Sequence, residues 1–262
     1  MKAAEKQKVY DLLKKASGWV YGYTRPEFKN PLSFSEEENQ ELNQNKPLQE
    51  KPEAPIQAST IQTENKNNTA ENHGMTIEEV NAKILRCTRC QLARTRTNVV
   101  PGMGVSNPLV LVVGEGPGQD EDLQGLPFVG KAGILLDKML AAINLDRKTN
   151  CYIANIVKCR PPQNRDPLPE EQSACSSFLE AQIKVLKPKM ILCMGRIAGQ
   201  KLLDTTTPVG QLRGNFYEYQ GIPLMVTYHP SALLRNEELK RPAWEDLKKF
   251  RAKLSEITGN EF

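Results

Sequence analysis

The sequence predicts an α/β fold in which a parallel sheet is covered by helices on both faces, and three observations predict it. Four short apolar runs, Leu109–Val113, Tyr152–Val157, Met190–Met194 and Leu224–Thr227, read as strands buried on both sides. Helical patterns occupy Ala132–Ile143, Pro169–Leu186, Ile197–Leu203 and Ala243–Ile257. The two kinds of segment alternate along the chain, as the crossovers of a parallel sheet require. Ligands of such sheets bind beyond the carboxyl ends of the strands, so chemistry is expected after Val113, Val157 and Thr227.

The 262 residues suffice for one medium domain with polypeptide left over. Residues 1–29 carry seven basic and three acidic groups, with Val9, Leu12 and Leu13 at helical spacing ahead of Trp19, Tyr21 and Tyr23. A short helix is expected there. It is a candidate docking peptide for a protein partner or nucleic acid, although packing back on the main domain is the plainer role. Residues 30–74 hold eight Glu against three Lys and a single aromatic, Phe34. That composition buries too little apolar surface to offset chain entropy and reads as a disordered linker. The folded domain, residues 75–262, is expected to open at the capping box Thr76-Ile-Glu-Glu79, ahead of Ile77, Val80 and Ile84 on one helix face.

Composition excludes collagen, coiled-coil and disulfide-scaffold classes. No apolar window is long enough for a membrane span and the first residues lack the apolar core of a secretory signal, so a cytoplasmic protein without membrane contact is expected. The net charge of +4 permits a polyanionic partner without demanding one.

The first strand leads into GEGPGQDED (114–122) and then GLPFVGKAG (125–133). A dinucleotide fingerprint needs its glycines to open a helix directly, whereas here Pro117 and the acidic Asp120, Glu121 and Asp122 intervene. A phosphate loop needs a hydroxyl where Ala132 stands. What remains is a glycine-rich turn bringing backbone close to something flat or small, with Glu115, Glu121 and Phe128 around one cavity. Cys87 and Cys90, with Cys159 and Cys175, lie outside the strands and suit a four-thiolate metal site in a reducing compartment. Cys151 and Cys193 fall within strands and are assigned to the core. Asn155, Lys158 and Arg160 come straight off a strand end. His229 is the one imidazole outside the linker, and its place at another strand end favours a functional role.

GEGPGQDED with GLPFVG, NIVKCRPPQNR, HPSALLRN and the four cysteines together resemble the iron-sulfur branch of uracil-DNA glycosylases, family 4, over roughly Met75 to Ile257. The resemblance implies a three-layer α/β/α fold on a four-stranded parallel sheet, a 4Fe-4S cluster, and hydrolysis of the N-glycosidic bond of uracil in DNA. It further implies that Phe128 stacks on the flipped uracil and Asn155 reads its polar edge. Glu121 would exclude thymine's methyl group beside C5, and His229 would stabilise charge on O2. Ser231, Leu233, Leu234 and Arg235 would form the loop that meets DNA at the minor groove. Gly116 stands where other branches carry a water-positioning aspartate, which makes Glu115 the substitute. Cys87, Cys90, Cys159 and Cys175 would ligate the cluster, and the enzyme would act as a monomer.

These residue types suit the chemistry by themselves. An extruded base offers a polar edge to an amide and a π-face to an aromatic, and cleavage at C1′ leaves a cationic sugar beside an anionic pyrimidine. A carboxylate and an imidazole donor stabilise the two charges as they develop. Three other readings stay open at this level: a zinc-bearing nucleic-acid module without catalysis, a phosphate-loop NTPase, and a superfamily glycosylase for another deaminated base.

Overall fold

The computed structural model describes residues 75–259. The helix expected in 1–29 and the linker expected in 30–74 lie outside the described residues.

Helix α1 (Ile77–Leu85) opens as its capping box requires: Glu79 N–H donates to Thr76 Oγ1 at 3.3 Å, and Thr76 N–H donates to Glu79 Oε2 at 2.9 Å. Its Ile77, Val80 and Ile84 are buried. Six strands follow, β1 (Met103–Gly104), β2 (Val110–Gly114), β3 (Cys151–Asn155), β4 (Met190–Met194), β5 (Phe216–Tyr219) and β6 (Ile222–Thr227). They form one sheet in the order β1-β3-β2-β4-β6-β5. The four predicted strands are its parallel centre. The expectation of four strands is corrected by an antiparallel strand at each edge. Both edges escape a search for buried runs: β1 has two residues, and β5 alternates exposed and half-buried side chains. A two-residue turn, Gln220-Gly221, joins β5 to β6 with φ of 52° and 81°, the left-handed pair that suits a tight hairpin.

All residues of β2, β3 and β4 are buried because helices cover both faces. Leu111, Val113, Ala154, Ile191, Cys193 and Val226 share one side with α1, α4 (Pro169–Leu186) and α5 (Arg196–Leu203). Val110, Val112, Ile153, Leu192 and Met225 share the other with α3 (Lys131–Ala141) and α8 (Lys240–Thr258). The predicted helices stand with ends shifted by up to three residues. Three short ones, α2 (Gln119–Gln124), α6 (Val209–Leu212) and α7 (Pro230–Arg235), are additional. Cys151 and Cys193 are core residues, as expected.

One expectation fails in α7. Leu233 is 2% exposed and packs with the α3 and α8 side chains, so it cannot be the minor-groove wedge; its neighbour Leu234, 48% exposed, is the free one. A six-residue helix lying on the core must turn one of two adjacent leucines inward.

From β2 the chain crosses to β3 on one side and then to β4 on the other, so the connections diverge at the carboxyl ends of β2 and β4. Such a divergence opens a crevice.

Candidate active site

A cavity of about 490 Å³ occupies that crevice, within the range of small-molecule sites. Its walls come from all four parallel strand ends: Glu115 after β2, Asn155 closing β3, Gly195 after β4 and His229 after β6. Gly116, Glu121, Phe128, Ser231 and Arg235 also line it. The structure therefore brings together every predicted pocket residue, and leaves Leu233 in the core.

Asn155 is 2% exposed, and its Oδ1 has no hydrogen-bond partner. An unpartnered buried acceptor costs about 1–3 kcal/mol, so a donor from a ligand is the natural complement. A methyl group on Gly114 would lie 2.4 Å from that oxygen and 2.7 Å from Phe128 Cζ. Glycine at 114 thus leaves amide and ring close enough to serve one flat ligand. The sequence carries the signal as a glycine at a strand end, but only the geometry reveals its use.

Phe128 has a φ of 53°, a left-handed conformation that a bulky residue holds only when its surroundings impose it. The buried Arg147 imposes it by donating to Pro127 O at 2.8 Å and Phe128 O at 3.1 Å, and it pairs with Asp137 at 2.7 Å. Glu121 secures the same loop, accepting from the backbone N–H groups of Gly118, Val129 and Gly130 at 3.0, 2.9 and 3.1 Å. Gly133 lets α3 pack on this loop, since a Cβ there would meet Phe128 O at 1.9 Å.

His229 caps α7, its Nδ1 accepting the Ser231 N–H at 3.2 Å with Ser231 Oγ 2.8 Å away. A backbone N–H can only donate, so Nδ1 carries no proton and the neutral ring bears its hydrogen on Nε2. Burial lowers the imidazole pKa to about 4, Arg235 adds to that shift, and Glu121 opposes it. The ring lies 5.5 Å, centre to centre, from that of Phe128. Two residues before His229, at the end of β6, Thr227 Oγ1 donates to the buried Asp246 of α8 at 2.7 Å, and Arg213 donates to the same carboxylate at 2.9 Å.

Glu115 has a pKa raised to about 7, first by burial and then by the Asp166 carboxylate, against the opposing Arg196. Asp166 and Arg196 form an ion pair on the pocket wall. At Gly116 an added Cβ would lie 2.7 Å from Val157 Cγ2, while the neighbouring Glu115 lines the pocket. Sequence reading missed Asp166, Arg196, Arg147 and Gly114 as contributors, because each acts through a partner distant in the chain.

The four outer cysteines also converge. Cys87, Cys90, Cys159 and Cys175 line one enclosed cavity between α1, α4 and the segment after β3. Arg96 donates to Cys159 Sγ at 3.0 Å and to Cys87 O at 2.8 Å, bridging the two cysteine pairs. Among the described residues no group of three or more His, Cys, Asp or Glu is placed to hold a single metal ion. Four cysteine sulfurs gathered on one cavity are a donor set that suits thiolate-bound metal, as a single ion or as a cluster.

A crossover sheet whose strand ends gather an orphaned amide, a stacked aromatic, a neutral imidazole and a carboxylate defines a pocket for a planar heterocycle. Residues 101–248 match the family model described as the Uracil DNA glycosylase superfamily, more than half of the chain, and the protein belongs to that superfamily. The chain is 41% identical over 182 residues to the Type-4 uracil-DNA glycosylase of Archaeoglobus fulgidus, covering 66% of this chain and 91% of that protein. It is 43% identical over 180 residues to the Type-4 enzyme of Thermotoga maritima, covering 67% and 93%. A Type-5 uracil-DNA glycosylase of Pyrobaculum aerophilum is 30% identical over 184 residues, covering 58% and 80%.

Proposed function

We propose that this protein is a DNA-repair glycosylase that flips uracil out of DNA and hydrolyses its bond to C1′, the first step of base excision repair. The observation that carries this reading is the unpartnered Asn155 Oδ1 beside Phe128. Uracil presents an N3–H donor next to its O4 acceptor, so the Asn155 amide can accept from the first and donate to the second. Phe128 covers the ring face. Glu121, fixed by three backbone donors, stands beside C5 and excludes the methyl group of thymine.

As the C1′–N1 bond breaks, its electron pair passes into the pyrimidine and charge gathers on O2, where His229 Nε2–H donates. A neutral donor suits this role because it stabilises the anion without surrendering its proton. Glu115 orients a water toward C1′ and accepts its proton while the water oxygen forms the new bond, leaving an abasic sugar. Gly116 keeps the approach open. Ser231 fixes the imidazole, while Leu234 and Arg235 face the DNA.

Cys87, Cys90, Cys159 and Cys175 would hold the 4Fe-4S cluster, which when bound cross-links the segment before β2 to the loop after β3; glycosidic hydrolysis transfers no electrons. Every residue given a role here belongs to one chain, so the reading needs no second subunit and takes the enzyme as a monomer. No described helix is long and apolar enough to cross a membrane; the reading takes the protein to work beside DNA, in the cytoplasm of a cell without a nucleus. The deciding experiment is incubation with a uracil-containing oligonucleotide followed by alkaline cleavage. Strand scission at the uracil is expected, and an intact strand refutes the assignment.

A further inference from the structure

Lys158 lies between the two cavities. Its side chain is 1% exposed and lines the cysteine cavity. Nζ donates to Asn155 O at 2.8 Å and to Gln182 Oε1 at 2.7 Å. Gln182, itself fully buried in α4, donates onward to Pro101 O at 2.8 Å and Asn81 Oδ1 at 3.3 Å. Both acceptors of the ammonium are neutral, and among the described residues no carboxylate pairs with it.

Burying a cation among neutral acceptors is unfavourable, and stability alone would place an apolar side chain of the same length there. The carbonyl it holds belongs to the residue that closes β3 and carries the orphaned amide. We propose that Lys158 is a positioning residue for Asn155: it fixes the Asn155 peptide at the strand end, anchored on Gln182, and so sets where the amide points. Ile156 N–H, in the same planar peptide as the Asn155 carbonyl, donates to Gly114 O at 2.9 Å, so the strand ladder holds one end of that peptide and Nζ adds a second restraint at its oxygen.

This inference rests on Asn155 reading the base, and its test separates the two ideas. Cluster-loaded wild type and Lys158→Met are compared in three measurements: inhibition by free uracil, affinity for a duplex containing an abasic-site analogue, and visible absorbance. The expected result is a uracil inhibition constant raised about tenfold, the size of one hydrogen bond's positional control, with duplex affinity and colour unchanged. A fully coloured Lys158→Met protein whose uracil inhibition constant equals the wild type's overturns the proposal. If Lys158→Met does not accumulate with its colour, Gln182→Leu decides, because it leaves Nζ one partner. An unchanged constant in Gln182→Leu overturns the proposal, and a raised constant with unchanged duplex affinity supports it. Wild type that leaves a uracil-containing strand intact overturns the glycosylase reading itself, a result independent of either variant.

Discussion

At Glu115, burial and a neighbouring carboxylate act in the same direction, and the consequence is a pH dependence. Its pKa of about 7 means that the carboxylate able to accept a proton from water is lost as pH falls through that value. His229, with a pKa of about 4, stays neutral throughout the neutral range and contributes no opposing limb. Single-turnover excision should therefore rise with pH to a plateau above about 7 and drop roughly a hundredfold by pH 5. Asp166→Asn should move the limb to lower pH by removing the second cause of the shift; a limb unmoved in that variant assigns it to another group. The same shift opposes folding, because the unfolded Glu ionises from about pH 4.5 while the folded one does not. Glu115→Gln should thus melt above wild type at pH 8, with the difference vanishing below pH 4.5. His229→Ala should slow excision on the order of 100- to 1000-fold while leaving duplex affinity nearly intact, since its donor matters only as charge develops. Equal single-turnover rates in variant and wild type would return His229 to a helix-capping role. The identities of Glu115, Asn155, Phe128 and His229 are legible in the sequence. The tautomer of His229, the Glu115–Asp166 coupling and the orphaned oxygen of Asn155 are not, because each depends on a partner brought close only by folding.

Elements show the same division. The buried strands β2, β3 and β4 and the long helix α4 can be read directly, since burial on both faces produces uninterrupted apolar runs and an 18-residue helix repeats its period several times. Short elements lack that redundancy. α7 has six residues, and its sequence does not say which of two consecutive leucines turns inward. The structure makes the two separable by experiment. Leu233→Ala should lower stability by about 2–5 kcal/mol in denaturant unfolding, as for a buried leucine, with excision by the folded fraction retained. Leu234→Ala should leave the unfolding midpoint within error and slow excision from duplex DNA, where an exposed apolar side chain can fill the space of the extruded base. Reversed outcomes would place Leu233 at the DNA and contradict its burial. α2 was hidden for a different reason: its acidic residues suggest solvent, yet Asp122 is buried, accepting from the Thr97 and Asn98 N–H groups at 2.9 and 3.2 Å. That contact joins α2, which bears Glu121, to the segment that follows Cys90.

Across the whole molecule, the cysteine cavity and the pocket share their supports. The chain between Asn155 and Arg165 contributes Asn155, Pro161, Asn164 and Arg165 to the pocket, and Lys158 and Cys159 to the cysteine cavity. Cys90→Ala should bleach the visible absorbance and lower the melting temperature, because a missing thiolate frees two chain segments together. Cys193→Ala, at a fully buried core position in β4, should keep its colour; the opposite pattern would refute the ligand set. The residues that line pocket and cysteine cavity all fall between Ile84 and Arg235. The three layers are likewise complete within the described residues, from the buried Ile77 of α1 to Leu254 of α8. A fragment of residues 75–262 is therefore expected to fold alone, to bind the cluster, and to excise uracil within about threefold of the full chain, since substrate contacts and packing are both retained. Removing residues 1–74 takes away seven basic groups before residue 30 and eight glutamates after it, charges that nearly cancel. Salt should therefore weaken DNA binding by fragment and full chain with similar slopes. A fragment that folds and keeps its colour but no longer excises uracil would show that the first 74 residues complete the active site, and the division of the chain at Met75 would fall with it.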